Sequence, residues 1–521
     1  MKVENFLAHH GLTENPFAAE EARLDGVFNR LADSSLHHPD INKIFGSIDQ
    51  PSTAVVFGEK GSGKTAIRLT LQRKIDQHNQ DVIQNDTNRR VLAVAYDDFN
   101  PVLDKLTRAK KAPTNQIIRD FRLADHQDAI LSHAVTKLVD ALLKDPAGSG
   151  DDVMSLPDEK TKKLRKRLTR QQRLDLAVLA GLYDQPPSGV VLPRWRKLRK
   201  ALRLGWSLPM AFWRNAAIGV TLVALGLGGC FAYLENQTPP EMPWWLLPLL
   251  GLAAAGALML WSFWTYLFAR TWRLSRRVVK EMPGVGRTGP TLRGVFGELG
   301  LATLAGQPLP ASGRDEQEQR DSRYQLTRRF VDVLKALGYA GMVVLVDRVD
   351  EPTAVAGDAQ KMRSLIWPMF DNKFLKQEGI GLKLLLPVEL SYLLNKEGPG
   401  FFQEARLDKQ NMIDKLTWSG ATLYDLCSSR LNACRTAGKA TPLSLTDFFE
   451  DTVERGNLID ALDQMHQPRD AFKFLYGVIQ EHCRLLPEDA ADFHINRLTL
   501  ETVRRTQSQR VQELYRGLTP A

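Results

Sequence analysis

Residues 53–65 read TAVVFGEKGSGKT, an apolar run of β type that ends in the spacing G-x-x-x-x-G-K-T at Gly58, Gly63, Lys64 and Thr65. These residue types at this spacing suit a polyphosphate. Glycines let the backbone from Gly58 through Glu59, Lys60, Gly61, Ser62 and Gly63 turn tightly enough for its N–H groups to surround anionic oxygens. Lys64 then reaches the β and γ oxygens, and the Thr65 hydroxyl is offered to Mg²⁺. The pattern predicts a helix from Thr65 towards Ile75, its positive dipole end facing the same anion. The expected ligands are ATP and Mg²⁺; no base-contacting motif separates ATP from GTP.

A second set of chemical groups lies far downstream, where residues 341–351 read GMVVLVDRVDE. The apolar residues Met342 to Val346 describe a strand buried on both faces, with Asp347 emerging at its C-terminal edge, where α/β sheets place ligands. A carboxylate there would hold Mg²⁺ opposite Thr65. The plainer alternative is a polar turn after a strand. Asp350 and Glu351 are candidates to orient or deprotonate an attacking water, with Glu351 preferred. Two arginines complete the candidate catalytic set. Arg469, in Gln467-Pro468-Arg469-Asp470, resembles the P-R step in the helical lid of AAA-like ATPases, a resemblance that implies an approach to the γ-phosphate; the alternative is a cap or pair within its own helix. Arg430 could be a finger supplied to a neighbouring subunit, and Arg323 in Asp321-Ser322-Arg323 serves that role equally well.

Several elements must position these groups. Arg90 to Ala95 reads as a strand ending at Tyr96, Asp97, Asp98 and Phe99. Gly381 to Leu386 reads as another, followed by Pro387 and Glu389, the latter a poor match to the polar sensor that resemblance to AAA-like ATPases implies there. Helices are expected at Asp40 to Ile48, Ala124 to Leu143 and Arg323 to Leu337, with a mainly helical region from Leu416 onward. Pro283 to Arg314, rich in Gly and Pro, reads as loop and linker.

Between the two motifs lie two stretches without a charged residue, Asn215 to Leu234 and Trp244 to Phe268. Each meets the roughly 20-residue length needed to cross about 30 Å of hydrocarbon. The alternative is a pair of buried core helices, which rarely run so long without a polar face. Trp244, Trp245, Trp261, Trp264 and Tyr266 suit the interface, and small residues such as Gly219 and Gly226 permit close helix approach. Basic flanks (Arg194 to Arg214, Arg270 to Lys280) and a connector ENQTPPEMP without Lys or Arg predict cytoplasmic termini and an outward-facing turn. The expected location is the inner (cytoplasmic) membrane, crossed twice.

A net charge of +9 raises nucleic acid as a partner. Much of the excess sits at Lys160 to Arg203, beside the membrane, where anionic lipid headgroups account for it at about 1 kcal/mol per basic side chain. Nucleic acid is therefore not favoured. Cys230, Cys427, Cys434 and Cys483 show neither metal spacing nor a disulfide framework. The pairs His9-His10 and His37-His38 read as surface histidines. The N-terminal MKVENFLAHHGLTENPF lacks a signal-peptide core, so the first span would serve as the insertion signal. Two spans without charge offer a single chain no polar pathway, which argues against transport, although an oligomer could build a pore from them.

A phosphate loop, an inserted transmembrane hairpin, a D-x-x-D-E strand end and a helical tail resemble the KAP family of P-loop NTPases, within the wider STAND and AAA-like ATPases. Family members usually carry D-D-x-D-R where this chain has Asp347, Arg348, Asp350 and Glu351. The resemblance implies a three-layer α/β P-loop domain with a parallel sheet, interrupted by the hairpin and followed by an α-helical lid. The expected segments are an approach (1–50), the first half of the domain with its basic segment (51–208), the hairpin (209–272), the second half (273–400) and the lid (401–521). It further implies an ATP-driven conformational or assembly switch in signalling or phage defence, a homo-oligomer and an unidentified protein partner. The alternatives are a membrane-tethered nucleotide-binding scaffold with little turnover, or an ATPase acting on nucleic acid.

Overall fold

The computed structural model describes residues 1–31, 38–47, 50–84, 89–144, 166–204, 210–236, 246–310, 316–436, 442–488 and 490–515. The chain is α/β, mostly helical, and divides into two compact units: residues 1–99 with 340–521, and residues 100–339.

The first unit is built on a five-stranded parallel sheet of β1 (Ala54–Gly58), β2 (Arg90–Tyr96), β3 (Tyr339–Val346), β4 (Ile380–Pro387) and β5 (Asn411–Ile413), ordered β2-β3-β4-β1-β5. The expected strands lie where the apolar runs placed them, because unbroken Val, Leu and Ile can be buried on both faces only inside such a sheet. β4 separates the two motif strands, with Gly58 paired to Pro387 and Val346 to Leu384. Both motifs therefore end at the same edge of the sheet. The crossover from β1 runs three positions one way, and those from β3 and β4 run the other. That reversal opens a crevice at the carboxyl ends of the strands.

One sheet face is covered by helix Lys64–Gln84 through Ile67, Leu71 and Ile75, spaced at one helical turn, against Val56, Ala93, Val343 and Leu385. Lys383 is the exception within β4. Buried, its ammonium donates to the carbonyls of Phe45 (3.0 Å) and Ser52 (2.7 Å), and burial pushes its pKa down to about 8.

Helices Gly420–Ala433, Arg455–Asp463, Pro468–Leu485 and Arg497–Tyr515 follow β5. The N-terminal segment is not merely a polar approach: Phe6, Leu7, Leu12, Phe17 and Val27 share one apolar core with Leu423, Leu458, Phe474 and Val478 of these helices. Of the described histidines in the two pairs, His9 is exposed as expected, but the other two are not at the surface. His10 and His38 are buried, their Nε2 atoms hydrogen-bonded with the carbonyls of Phe493 (2.9 Å) and Thr417 (3.0 Å). Backbone acceptors, which sequence spacing does not reveal, make burial of an imidazole affordable. His37 lies outside the described residues.

The second unit is helical. Met210–Glu235 and Leu246–Glu281 are each long and apolar enough to cross a membrane, and only 6% and 11% of their most apolar stretches are buried. A pair of core helices would be mostly covered, so that alternative is set aside. They pack on each other, with the Trp261 indole donating to Thr221 Oγ1 (3.1 Å). Trp244, Trp245 and most of the connector lie outside the described residues.

Three expectations change here. The unit begins at residue 100 and ends at 339, so helices Leu123–Leu143 and Glu316–Ala336 belong with the two long apolar helices rather than with the sheet. The stretch expected as linker contains helix Gly289–Leu299: Pro290 occupies its first turn, Thr288 caps it, and Leu292, Val295, Phe296 and Leu299 form one buried face. Within the basic segment, Arg194 binds Asp184 (3.0 Å) and Asp140, while Arg196 and Arg199 bind Glu298 (2.6 and 3.0 Å). These cations are matched by the unit's own acids. Residues 145–165 lie outside the described set.

Arg323 is fully buried, bonded to Asp128 (3.2 Å) and to the Glu281 carbonyl (2.6 Å). An arginine so enclosed cannot reach a neighbouring subunit. Asp128→Ala leaves that guanidinium unpaired and is expected to destabilise the chain by about 3–5 kcal/mol, read as a lower urea midpoint in detergent. Glu298→Ala, at a partly exposed pair, should cost less than about 1 kcal/mol.

Candidate functional site

β1 ends at Gly58, and the loop 59–63 turns into helix Lys64–Gln84. Gly61 has φ +99°, and a Cβ there would lie 2.8 Å from Gln467 Oε1 and 3.0 Å from Arg469 Cβ. At Gly58 a Cβ would lie 2.4 Å from Ser62 Oγ. Only glycine fits either place. The Ser62 hydroxyl is buried without a hydrogen-bond partner, and the first turn of the helix leaves N–H groups unsatisfied by the helix itself. An anion at this loop would meet both. The Lys64 ammonium folds back over the loop, donating to the carbonyls of Gly58 (2.8 Å) and Glu59 (2.9 Å). Burial lowers its pKa, opposed by the carboxylates of Asp350, Asp347 and Glu389. Glu389 is exposed on the first turn after β4, yet its charge bears on Lys64.

Asp347 leaves the end of β3 at 1% exposure. Its Oδ2 accepts the Thr65 hydroxyl at 2.8 Å and lies 3.5 Å from Arg68 Nε. Burial raises its pKa, and Thr65, Arg68 and Lys64 draw it back down. Thr65 and Asp347 thus present two oxygens to one point, a donor set suited to a hard divalent cation that keeps most of its waters. Beyond Asp347 the chain turns through Arg348 at φ 60°, a conformation that costs a β-carbon residue of order 1 kcal/mol. That turn sends Arg348 onto Glu351, with which it is ion-paired. Glu351 is 48% exposed, whereas Asp350 is half-buried and acts on Lys64. Of the two acids expected to handle water, Asp350 acts on Lys64 at the start of the helix, and Glu351 is occupied by its own neighbour.

The helical region closes over the loop. Gln467 donates its side-chain amide to Glu59, Lys415 pairs with Glu59 (2.6 Å), and the Trp418 indole donates to the Ser62 carbonyl (2.9 Å). Arg469, second residue of helix Pro468–Leu485, brings its backbone N–H within 3.5 Å of the Gly61 carbonyl. Its Nε is buried without a hydrogen-bond partner, and its side chain lines the cavity beside the loop. The alternative of an arginine pairing within its helix is not what the geometry presents.

Arg430 is different. At 2% exposure it donates to the Pro16 carbonyl (2.7 Å) and Asp25 (2.6 Å), with its guanidinium 4.4 Å above the Phe472 ring. A finger must project from the surface; this arginine instead pins the N-terminal segment to the helical region and lines the same cavity from within.

The cavity has a volume of about 510 Å³, ample for a nucleoside triphosphate. Polar walls come from Lys64, Thr65, Asp347 and Arg469, and apolar walls from Phe28 and Leu426 among others. Residues 19–31 of the N-terminal segment contribute much of the rim, which sequence reading missed. Arg68 was missed too, although a charged residue one turn after Lys64 on a helix buried against a sheet was a visible signal. Nothing in the local sequence marked Trp418.

Because Gly61 has no room for a methyl group, Gly61→Ala should force loop and helical region apart and weaken binding of a fluorescent ATP analogue by about tenfold or more. Gly26→Ala, where nothing lies within 4 Å, should leave the same titration within about twofold, since a surface change away from such features costs little.

No family model, curated protein or solved structure matches this chain.

Proposed function

We propose that this protein is a membrane-anchored ATPase in which binding and hydrolysis of ATP drive a conformational or assembly switch. The observation that carries the reading is the meeting of Thr65 with Asp347 at 2.8 Å beside Lys64, although the whole inserted unit separates them in sequence. A loop with the residue types of a phosphate cradle and a buried acid at the neighbouring strand end converge on one point, as a magnesium triphosphate requires. The strand order, with the reversal at the crevice beside β1, supports assigning a three-layer P-loop domain.

In this reading the loop N–H groups and Lys64 bind the β and γ oxygens, Thr65 and Asp347 hold Mg²⁺, and Arg469 faces the γ position from the lid. Bound Mg²⁺ would supply positive charge across the β and γ oxygens. Asp350 is the favoured residue to orient the attacking water. The resemblance to KAP and STAND ATPases adds signalling or defence against phage as a role, with homo-oligomers and a protein partner as the means. Neither Arg430 nor Arg323 supports a finger in trans.

Anchoring rests on the two apolar helices, and on Arg270, Arg273, Arg276, Arg277 and Lys280, all exposed on the extension of the second. That stripe suits anionic headgroups. A nucleic-acid partner is less favoured, because among the described residues of the basic segment Arg194, Arg196 and Arg199 are paired internally.

A second reading, a tethered scaffold that binds ATP with little turnover, is favoured by one observation: Arg348 engages Glu351 where many ATPases carry a further acid. Phosphate release separates the two. For an ATPase, Asp350→Asn lowers turnover by about 10²-fold or more while Glu351→Gln retains most of it; for a scaffold neither variant changes a rate already near background. Lys64→Ala should abolish ATP binding in either case while the protein stays in the membrane fraction. A reporter at Gln237 should be accessible from outside and one at Arg277 should not; the reverse pattern rejects the proposed topology.

A further inference from the structure

The chain of charges around Asp347 runs further than the metal pair. Arg68 is buried at 3% exposure in the first turns of the phosphate-loop helix. Its Nη2 lies 3.2 Å from Asp97 Oδ2, and its Nε lies 3.5 Å from Asp347 Oδ2, the oxygen that also accepts from Thr65. Asp97, at the end of β2, is ion-paired in turn with Arg23 of the N-terminal segment, through that same Oδ2. One carboxylate is therefore shared by two arginines, and one of those arginines is shared by two carboxylates.

From this arrangement the geometry points to Arg68 as a positioning residue. It shares the negative charge of Asp347 and, through Asp97, ties the grip on Arg23 to the engagement of that carboxylate by Mg²⁺. The inference rests on the nucleotide reading above and adds its regulation. A divalent ion at Thr65 and Asp347 would claim the carboxylate that Arg68 now neutralises and would repel the guanidinium. Arg68 would then draw more strongly on Asp97, loosening the hold of Asp97 on Arg23. Arg23 sits on the rim of the cavity, beside Glu20 and Glu21, and the next residue, Leu24, is 83% exposed. The bond after Arg23 is thus a natural reporter of the relay.

The test uses the full chain in detergent, with a fluorescent ATP analogue titrated with Mg²⁺, and tryptic release of fragment 1–23 followed by mass. In the wild type, nucleotide with Mg²⁺ should speed that cut about threefold or more over nucleotide with EDTA, the weight of a partly exposed ion pair. Arg68→Gln should lower the Mg²⁺ midpoint by about threefold or more and bring the ratio of cutting rates to about one. Arg68→Lys, which keeps the charge, should restore both to near wild type; a purely structural role would not follow charge in this way. If Arg68→Gln fails to fold by gel filtration, Asp97→Asn is read instead, and it should make the cut independent of Mg²⁺. Unchanged Mg²⁺ midpoint and cutting ratio in Arg68→Gln, or unchanged Mg²⁺ dependence of cutting in Asp97→Asn, with nucleotide binding lost only in Lys64→Ala, overturns the relay alone. Wild type and Lys64→Ala that are alike in failing to bind nucleotide overturn the relay together with the reading beneath it.

Discussion

A carboxylate at 1% exposure is unstable as an anion unless cations and donors surround it, and Asp347 is such a group. The structure of the site follows from meeting that need. Thr65 donates to it, Arg68 flanks it and Lys64 lies within electrostatic reach. Each of these comes from the loop and first turns of one helix, so that helix must start at the end of β1 and run beside β3. The parallel sheet supplies this by placing β4 between the two motif strands, so that both chain ends emerge at one edge.

The same logic explains the lid. A glycine-rich loop left open to water would have its N–H groups solvated. Here Gln467, Trp418 and Arg469 approach loop residues Glu59, Ser62 and Gly61 directly. The helices that follow or carry them are held by a core shared with the N-terminal segment, in which Phe6, Leu7 and Phe17 join Leu423 and Phe474. Arg430 adds a buried bond from the lid to Asp25. The first residues of the chain and its last helices are thereby one structural body, and the cavity lies between that body and the sheet.

The inserted unit obeys different rules. Its two long apolar helices expose most of their surface, while the helices around them bury ion pairs such as Asp128 with Arg323 and Asp184 with Arg194. Buried pairs of this kind contribute little to stability against an apolar core but penalise any arrangement that separates them. Among the described basic residues of 166–203, Arg194, Arg196 and Arg199 are held by acids of the same unit.

Local pattern by itself determined a good deal. The apolar runs of β1, β2, β3 and β4, the glycine spacing before Lys64 and the uncharged lengths of the two long helices are each set by neighbours within a few residues, and backbone geometry makes such patterns legible. What local pattern could not carry was pairing across distance. That Arg68 faces Asp347, that Glu351 is claimed by Arg348 and that Arg430 is sealed against Asp25 depends on which helices and strands are packed side by side. So does the place of Phe6 and Phe17 in the lid core, and the division of the chain at residues 100 and 340. A charged or aromatic residue looks the same in sequence whether solvent or a partner awaits it, and only the packed chain brings the partner within bonding distance.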